Sequence, residues 1–475
     1  MSIDALVISV YLASLLVWAI YIGRRQTVDD FFVMSRRAPY YLTIFSVVAT
    51  WVGVGTTVAT ASSAYEQGIS LGFTALSGGV VGVVFVSRLA PISKWFGDKY
   101  GAYTLGDFFL ARFSNTARFS SSCLILLIYL ALTAAQFIGL AAVLEVWSGL
   151  EYQTLVWFAA ISTIIYTAFG GIKSDYYTDG IHFCVMTVVL FAMLLPITIT
   201  RLEGSNNLNL LAVLPTGYFD PFAYGGVSFF IAGLIFGAGS GLVTMELWQR
   251  IFASRSGRDA RSALMVSLFV IVLFYCVATF FGLSARALLP GLERSEHAIF
   301  ALMQAELPPG LLGLGIAGFI AIMVSTINST IMVASSTAAN DLYRAQTVAS
   351  RESHPNLLVV GRVSTLLCGL AALAISLALP DLVALSVNGM FMLLILLPSV
   401  VGGFFWRAAT SKAAAASIIG GVVTLGVFMA VDPATAFVPS FVASALLFVL
   451  VSKVSAHDSS EDLSIVGGWR AKEGQ

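Results

Sequence analysis

Ala49-Thr50-Trp51-Val52-Gly53-Val54-Gly55-Thr56-Thr57 lies in the middle of an apolar stretch, residues 41–65, long enough to cross a bilayer core of about 30 Å. Each mid-stretch glycine lowers helix stability by about 1 kcal/mol relative to alanine. Irregular backbone at membrane depth is tolerated only where protein or a ligand satisfies the freed amides and carbonyls. The stretch therefore predicts a span that unwinds at mid-depth and presents backbone oxygens. A second cluster, Gly237-Ala238-Gly239-Ser240-Gly241, lies in the apolar stretch 225–249 and predicts a second interruption. For either stretch alone, close packing of small residues on a neighbouring helix explains the glycines equally well.

The rest of the chain fits this setting. Of its 475 residues 58% are hydrophobic and 11% charged, against about 25% charged in a soluble domain, which excludes a soluble fold. Thirteen apolar stretches long enough to span are counted, starting with 3–23, so the fold class is an all-α integral membrane protein with 13 transmembrane helices. Thirteen spans put the termini on opposite sides. With the N-terminus outside, only Arg201, Arg286 and Arg294 of the 25 Lys and Arg residues fall outside, the asymmetry expected of cytoplasmic loops. The chain is thus placed in the plasma (inner) membrane, N-terminus outside and C-terminus cytoplasmic. A net charge of zero supplies no basic field for nucleic acid.

Enzymatic readings find no support. Cys123, Cys184, Cys276 and Cys368 lie in apolar runs without a CxxC spacing, and His182, His297, His354 and His457 are far apart, so neither a zinc site nor a nucleophile–base pair is indicated. The short segment 454–475 after the last span reads as a cytoplasmic tail, too small for a catalytic or signalling domain. A non-transporting sensor, a channel, a uniporter and a proton-coupled carrier are the alternatives on such a scaffold.

The two interrupted stretches open blocks of five spans, 41–200 and 225–406. An odd span number inverts the second block relative to the first, and broken helices at matching positions of inverted halves point to a transporter's central site. Residues 1–23 are then an extra N-terminal helix and 412–453 two C-terminal helices, all in one domain, 1–453. In the stretch 311–338, Ser325, Thr326, Ser329 and Thr330 share a helical face. Their hydroxyls suit a hard cation, although back-bonding to carbonyls one turn earlier explains them equally well. Asp179, after Gly170-Gly-Ile-Lys-Ser-Asp-Tyr-Tyr-Thr178, is expected at the start of the span 179–200. There it acts as a helix-dipole partner or as a further cation ligand.

Several stretches carry a resemblance in order along residues 1–453: Phe31-Phe-Val-Met-Ser-Arg-Arg37, Ser46 to Trp51, Gly170-Gly-Ile with Tyr177-Thr-Asp179, Trp248-Gln-Arg250, Ser325-Thr-Ile-Asn-Ser329 and Asn340-Asp-Leu-Tyr343. The set resembles the sodium:solute symporter family. That resemblance implies a five-plus-five inverted-repeat core shared with the leucine transporter, with discontinuous first and sixth core helices, and sodium-coupled symport of a small solute by a monomer in the lipid bilayer. It implies a shared sodium site from the carbonyls of Ala49, Val52 and Ile322 and the hydroxyls of Ser325 and Thr326. A second sodium, bound in some members, would fall to Asp179, Ser325 and Ser329, with Asn328 departing from the family pattern.

The solute is expected between the broken helices, at Trp51, Thr56, Thr57, Phe73, Gln136, Gly237, Ser240 and Thr244, with Glu246 nearby. Ala75 and Gly78 stand where sugar-transporting members carry polar side chains, and Trp51 where proline-transporting members carry an acid. Ala49 to Gly53 most resembles the choline-transporting branch, and a tryptophan there suits a cationic amine. Leu132 and Thr244 replace the other aromatics of such a cage. An amino acid, a quaternary or other amine, or a small carboxylate remain as solutes.

Overall fold

The structure, a computed structural model, describes residues 3–344, 356–379, 389–433, 435–457 and 462–467, with the side chain of Val146 left out. The chain forms helices α1 (Ile3–Gly23), α2 (Val28–Val33), α3 (Tyr40–Trp51), α4 (Gly55–Gln67), α5 (Ser70–Tyr100), α6 (Leu105–Arg112), α7 (Asn115–Ser148) and α8 (Tyr152–Gly204). They continue as α9 (Gly226–Val243), α10 (Met245–Ala253), α11 (Gly257–Leu288), α12 (Ala298–Glu306) and α13 (Leu311–Tyr343). The last four are α14 (Leu357–Ala378), α15 (Gly389–Phe405), α16 (Ser411–Met429) and α17 (Phe437–Val454). Among the described residues ten helices are long and apolar enough to cross a membrane, or eleven if the bent pair α3 and α4 is one span. The chain is a multi-pass membrane protein. The expected span 381–406 begins outside the described residues, as do most of the tail 454–475 and Arg351, Arg470 and Lys472 of the charge pattern.

At 1.5 Å per residue, the 53 residues of α8 would reach about 80 Å if straight, far more than one crossing. Gly171 divides it, at φ 56° and ψ −170°, a region that side chains other than glycine's essentially do not visit. The single residue replaces the expected loop of residues 172–178, which are helical instead. Asp179 is therefore two turns inside the second limb of α8 and not at its start, correcting the helix-opening role. α2 wedges into this corner. A Cβ on Gly171 would lie 2.5 Å from the Phe31 ring, and one on Gly361 of α14 would lie 2.9 Å from it. Asp30 tethers α2 to the corner through Lys173 at 3.0 Å and accepts the Ser35 hydroxyl at 2.7 Å. Burial opposes its ionisation, but the bonds from Ser35, Lys173 and the Thr27 amide outweigh it and hold the carboxyl below the usual carboxylate range.

The core of the molecule is α13. Nearly every residue from Gly315 to Ser336 is buried, and it packs against α1, α7, α8 and α14. Its first amides are capped from outside the helix. Gly310 precedes it at φ 90° and offers no side-chain cap, and the Asp4 carboxylate of α1 instead accepts the amides of Gly310 at 2.6 Å and Gly313 at 2.8 Å. Because losing a cap costs about 1 kcal/mol, Asp4→Ala is expected to lower the thermal midpoint by a few degrees. An unchanged midpoint would show that α1 contributes nothing at this end.

Candidate cation and solute site

The last backbone bond of α3 runs from the Val52 amide to the Val48 carbonyl at 2.8 Å, so the carbonyls of Ala49, Thr50, Trp51 and Val52 lie beyond its ladder. Val52 turns out of the helix at ψ 62°, and α4 leaves at 60° to α3. The first interruption is thus where Gly53 and Gly55 placed it. The turn Gly55–Ala59 is a wider π-type coil, a form that often marks functional sites. Thr56 Oγ1 donates to the Trp51 carbonyl at 2.6 Å, and Thr326 Oγ1 lies 3.1 Å from the Thr50 carbonyl and 3.2 Å from Ile322 O. One hydroxyl of the core helix thereby reaches both its own preceding turn and the C-terminal end of α3. A Cβ on Gly53 would lie 2.8 Å from that same Oγ1, whereas one on Gly55 would meet nothing within 4 Å.

Of the expected sodium ligands, Thr326 meets the break at the Thr50 carbonyl and its own preceding turn at the Ile322 carbonyl. Ser325 turns instead to α8, donating to Asp179 Oδ1, while Ser46 of α3 donates to Asp179 Oδ2 at 2.5 Å. Thr330 faces α7, bonded to Thr133 at 3.0 Å, and so leaves the common hydroxyl face.

Between α3, α8 and α13 stands Arg250. The sequence placed it among cytoplasmic positive residues, but its side chain is 1% exposed. Its Nη2 lies 2.6 Å from Ser329 Oγ, 2.8 Å from Thr50 Oγ1, 3.0 Å from Asp175 Oδ2 and 3.6 Å from Asp179 Oδ2, and its Nε is 3.2 Å from Ser46 Oγ. Two unit charges about 4 Å apart interact by about 4 kcal/mol at an effective dielectric of about 20. Removing one partner of such a buried pair typically costs 3–5 kcal/mol. Asp175 and Arg250 escaped the sequence reading as site residues. The i, i+4 spacing of Asp175 and Asp179 within one helix was the available signal, hidden because Gly170-Gly171 read as the start of a loop.

The second interruption falls at Thr244 (φ −70°, ψ 110°), between α9 and α10, and not in the glycine cluster. Gly237 to Gly241 stay helical. A Cβ on Gly237 would lie 2.9 Å from Gly78 Cα, and one on Gly241 3.0 Å from Gly82 Cα, so these glycines let α9 and α5 approach closely. The amide of Met245 after the break donates to Tyr129 Oη of α7 at 2.8 Å, Trp248 Nε1 donates to Leu242 O at 3.0 Å, and Tyr129 donates in turn to the Glu246 carboxylate.

Several expected solute contacts have their polar groups engaged locally. Thr57 is fully buried and bonded to Gly53 O at 2.9 Å, Ser240 bonds to Gly237 O at 2.9 Å and Thr244 to Ser240 O at 2.9 Å. Phe73 stacks on Phe230 with ring centres 5.5 Å apart. Trp51 faces α5, its Cζ3 4.0 Å from where a Cβ on Gly79 would stand. Gln136 of α7 keeps a buried side-chain oxygen without a hydrogen-bond partner, an unfilled acceptor of the kind a solute donor satisfies.

Comparison with known proteins gives the chain's family and fold. A model of the sodium:solute symporter family matches residues 31–421. The sodium/proline symporter of Salmonella typhimurium is 27% identical over 371 residues, 74% of this chain and 72% of that one. The sodium/pantothenate symporter of Escherichia coli is 26% identical over 379 residues, 77% of each chain. A sodium-coupled sialic acid symporter solved in a substrate-bound outward-open state superimposes with a TM-score of 0.84 at 18% identity, over 96% of this chain and 99% of that one. A nucleobase-cation-symport-1 family transporter, at TM-score 0.61 and 14% identity, covers 92% and 98%.

Proposed function

The chain belongs to the sodium:solute symporter family, and on that premise we propose that its sodium-coupled symport uses the α3–α4 break as the hinge where sodium and solute meet. Sodium is held by the carbonyls of Ala49, Val52 and Ile322 with the hydroxyls of Ser325 and Thr326. The observation that carries this reading is the Thr326 hydroxyl within 3.2 Å of both the Thr50 and Ile322 carbonyls, since a cation there ties the broken helix to the core helix. Binding to one arrangement of these helices shifts the population toward it. The membrane potential supplies about 2.3 kcal/mol per charge per 100 mV.

The solute reading places a small organic molecule, an amino acid, an amine or a small carboxylate, against Trp51 and Gln136 and beside the second break at Thr244. The topology behind it is thirteen spans with the N-terminus outside, the crossing at Gly171 counted as a turn between two of them, and inverted repeats over 41–200 and 225–406. The discontinuous core helices are α3 with α4 and α9 with α10, and the working unit is a monomer in the bilayer.

Sodium-dependent thermal stabilisation of the purified protein tests the cation site. Wild type is expected to gain stability in sodium over potassium at equal ionic strength, and Ser325→Ala/Thr326→Ala to lose that gain. The readout is the sodium–potassium difference within each protein, because loss of the Ser325 bond to buried Asp179 lowers the variant's midpoint in both ions. A solute panel in sodium then identifies the cargo as the compound that stabilises further only when sodium is present. An equal response to both ions would exclude the site and favour a uniporter, a proton-coupled carrier or a sensor.

A further inference from the structure

Arg250 stands among the side chains that a second sodium would need. Its Nη2 is 2.6 Å from Ser329 Oγ and 3.6 Å from Asp179 Oδ2, two of the three side chains expected to bind that ion. The third, Ser325, points its hydroxyl proton at Asp179. Ser329 accepts from the guanidinium, donates its proton to Asp175 Oδ2 at 3.3 Å and shares a further bond with Thr50 Oγ1 at 3.0 Å, so its hydroxyl is already engaged on three sides. The guanidinium is drawn to this position by two carboxylates one helical turn apart, the nearer being Asp175 at 3.0 Å. All three ionic side chains are at most 2% exposed, and a mobile cation inserted here would stand within hydrogen-bonding distance of a fixed one.

We propose that Arg250 is a tethered cation occupying the second sodium position, held between Asp175 and Asp179, so that this chain couples its solute to a single sodium at the shared site. A tethered cation travels with α10 and never exchanges with solution. It satisfies Asp179 and Ser329 without drawing on the sodium gradient. The inference rests on the sodium-coupled reading above but is separable from it, because Asp179, Ser329 and Arg250 can be changed while Ser325 and Thr326 are left intact.

The test counts sodium ions bound per protein, by equilibrium dialysis with radioactive sodium on the purified full chain, beside the Hill slope of sodium-dependent thermal stabilisation. Asp175→Asn/Arg250→Gln keeps the cluster's net charge at its wild-type value, since it removes one negative and one positive group together. Wild type is expected to bind one sodium with a Hill slope of one and to lose it with Thr326→Ala. The double variant is expected to bind one more than wild type, and to lose the additional ion when Asp179→Asn is added. Asp175→Asn alone is expected to stay at the wild-type count because Arg250 then closes on Asp179. The proposal is overturned if wild type already binds a sodium that Asp179→Asn removes, if the double variant gains none, or if Asp175→Asn alone gains one. A wild type that binds no sodium beside a double variant that binds one would instead sink the shared site and leave Arg250 as proposed.

Discussion

Gly53→Ala is expected to lower sodium affinity at least tenfold, about 1.4 kcal/mol, while leaving the protein folded. The new methyl would stand 2.8 Å from Thr326 Oγ1. That oxygen has little freedom to retreat, because the β-branched side chain is stiff at χ1 and its hydroxyl lies against the carbonyls of Thr50 and Ile322. The backbone at Gly53 does not lie in the positive-φ region, so alanine adds no backbone strain and the effect isolates the contact. Gly55→Ala is the control, since its methyl would enter open space. Titration of thermal stability with sodium reads both variants. Equal sodium midpoints for Gly53→Ala and wild type would remove Thr326 from the cation site.

Gly171→Ala is expected to have the largest effect on the fold itself. The residue sits at φ 56° and ψ −170°, where a side chain adds about 1–3 kcal/mol of backbone strain. Its methyl would also press 2.5 Å from the Phe31 ring, and overpacking of that kind typically costs another 1–3 kcal/mol. These add to a substantial share of a stability that is commonly about 5–15 kcal/mol. The folded, monodisperse yield after membrane extraction should fall sharply. Adding Phe31→Ala relieves the clash but not the strain, so the double variant should still melt below Phe31→Ala alone. A Gly171→Ala protein with wild-type yield and midpoint would show that α8 turns by some means other than this residue.

The two glycine clusters show where reading the sequence succeeds and where it stops. Gly53 and Gly55 mark a true interruption, and Gly237 to Gly241 a close helix contact, yet both appear as small residues inside an apolar run. What separates them is the partner. Gly78 and Gly82 of α5, some 160 positions earlier, meet the second cluster face to face, and nothing local to residues 237–241 announces that pairing. The actual second break, at Thr244, is stabilised locally by Trp248 and, across helices, by Tyr129 reaching the freed Met245 amide.

Charges divide in the same way. Arg201 and Arg294 have exposed side chains, at 63% and 57%. Arg250 reads identically in a count of Lys and Arg, and only the fold reveals it as buried between Asp175 and Asp179.

By itself the sequence determined that the chain is helical and membrane-embedded, and that its first long interruption lies at Gly53 and Gly55. The physical reason is that lipid leaves no backbone group unsatisfied, which forces apolar length and interruption to be written locally. The tertiary structure alone decided which side chains meet that interruption and which are held by a guanidinium. Those facts depend on side chains from α3, α8, α10 and α13 meeting in one buried volume, and burial sets the strength of every charge interaction there.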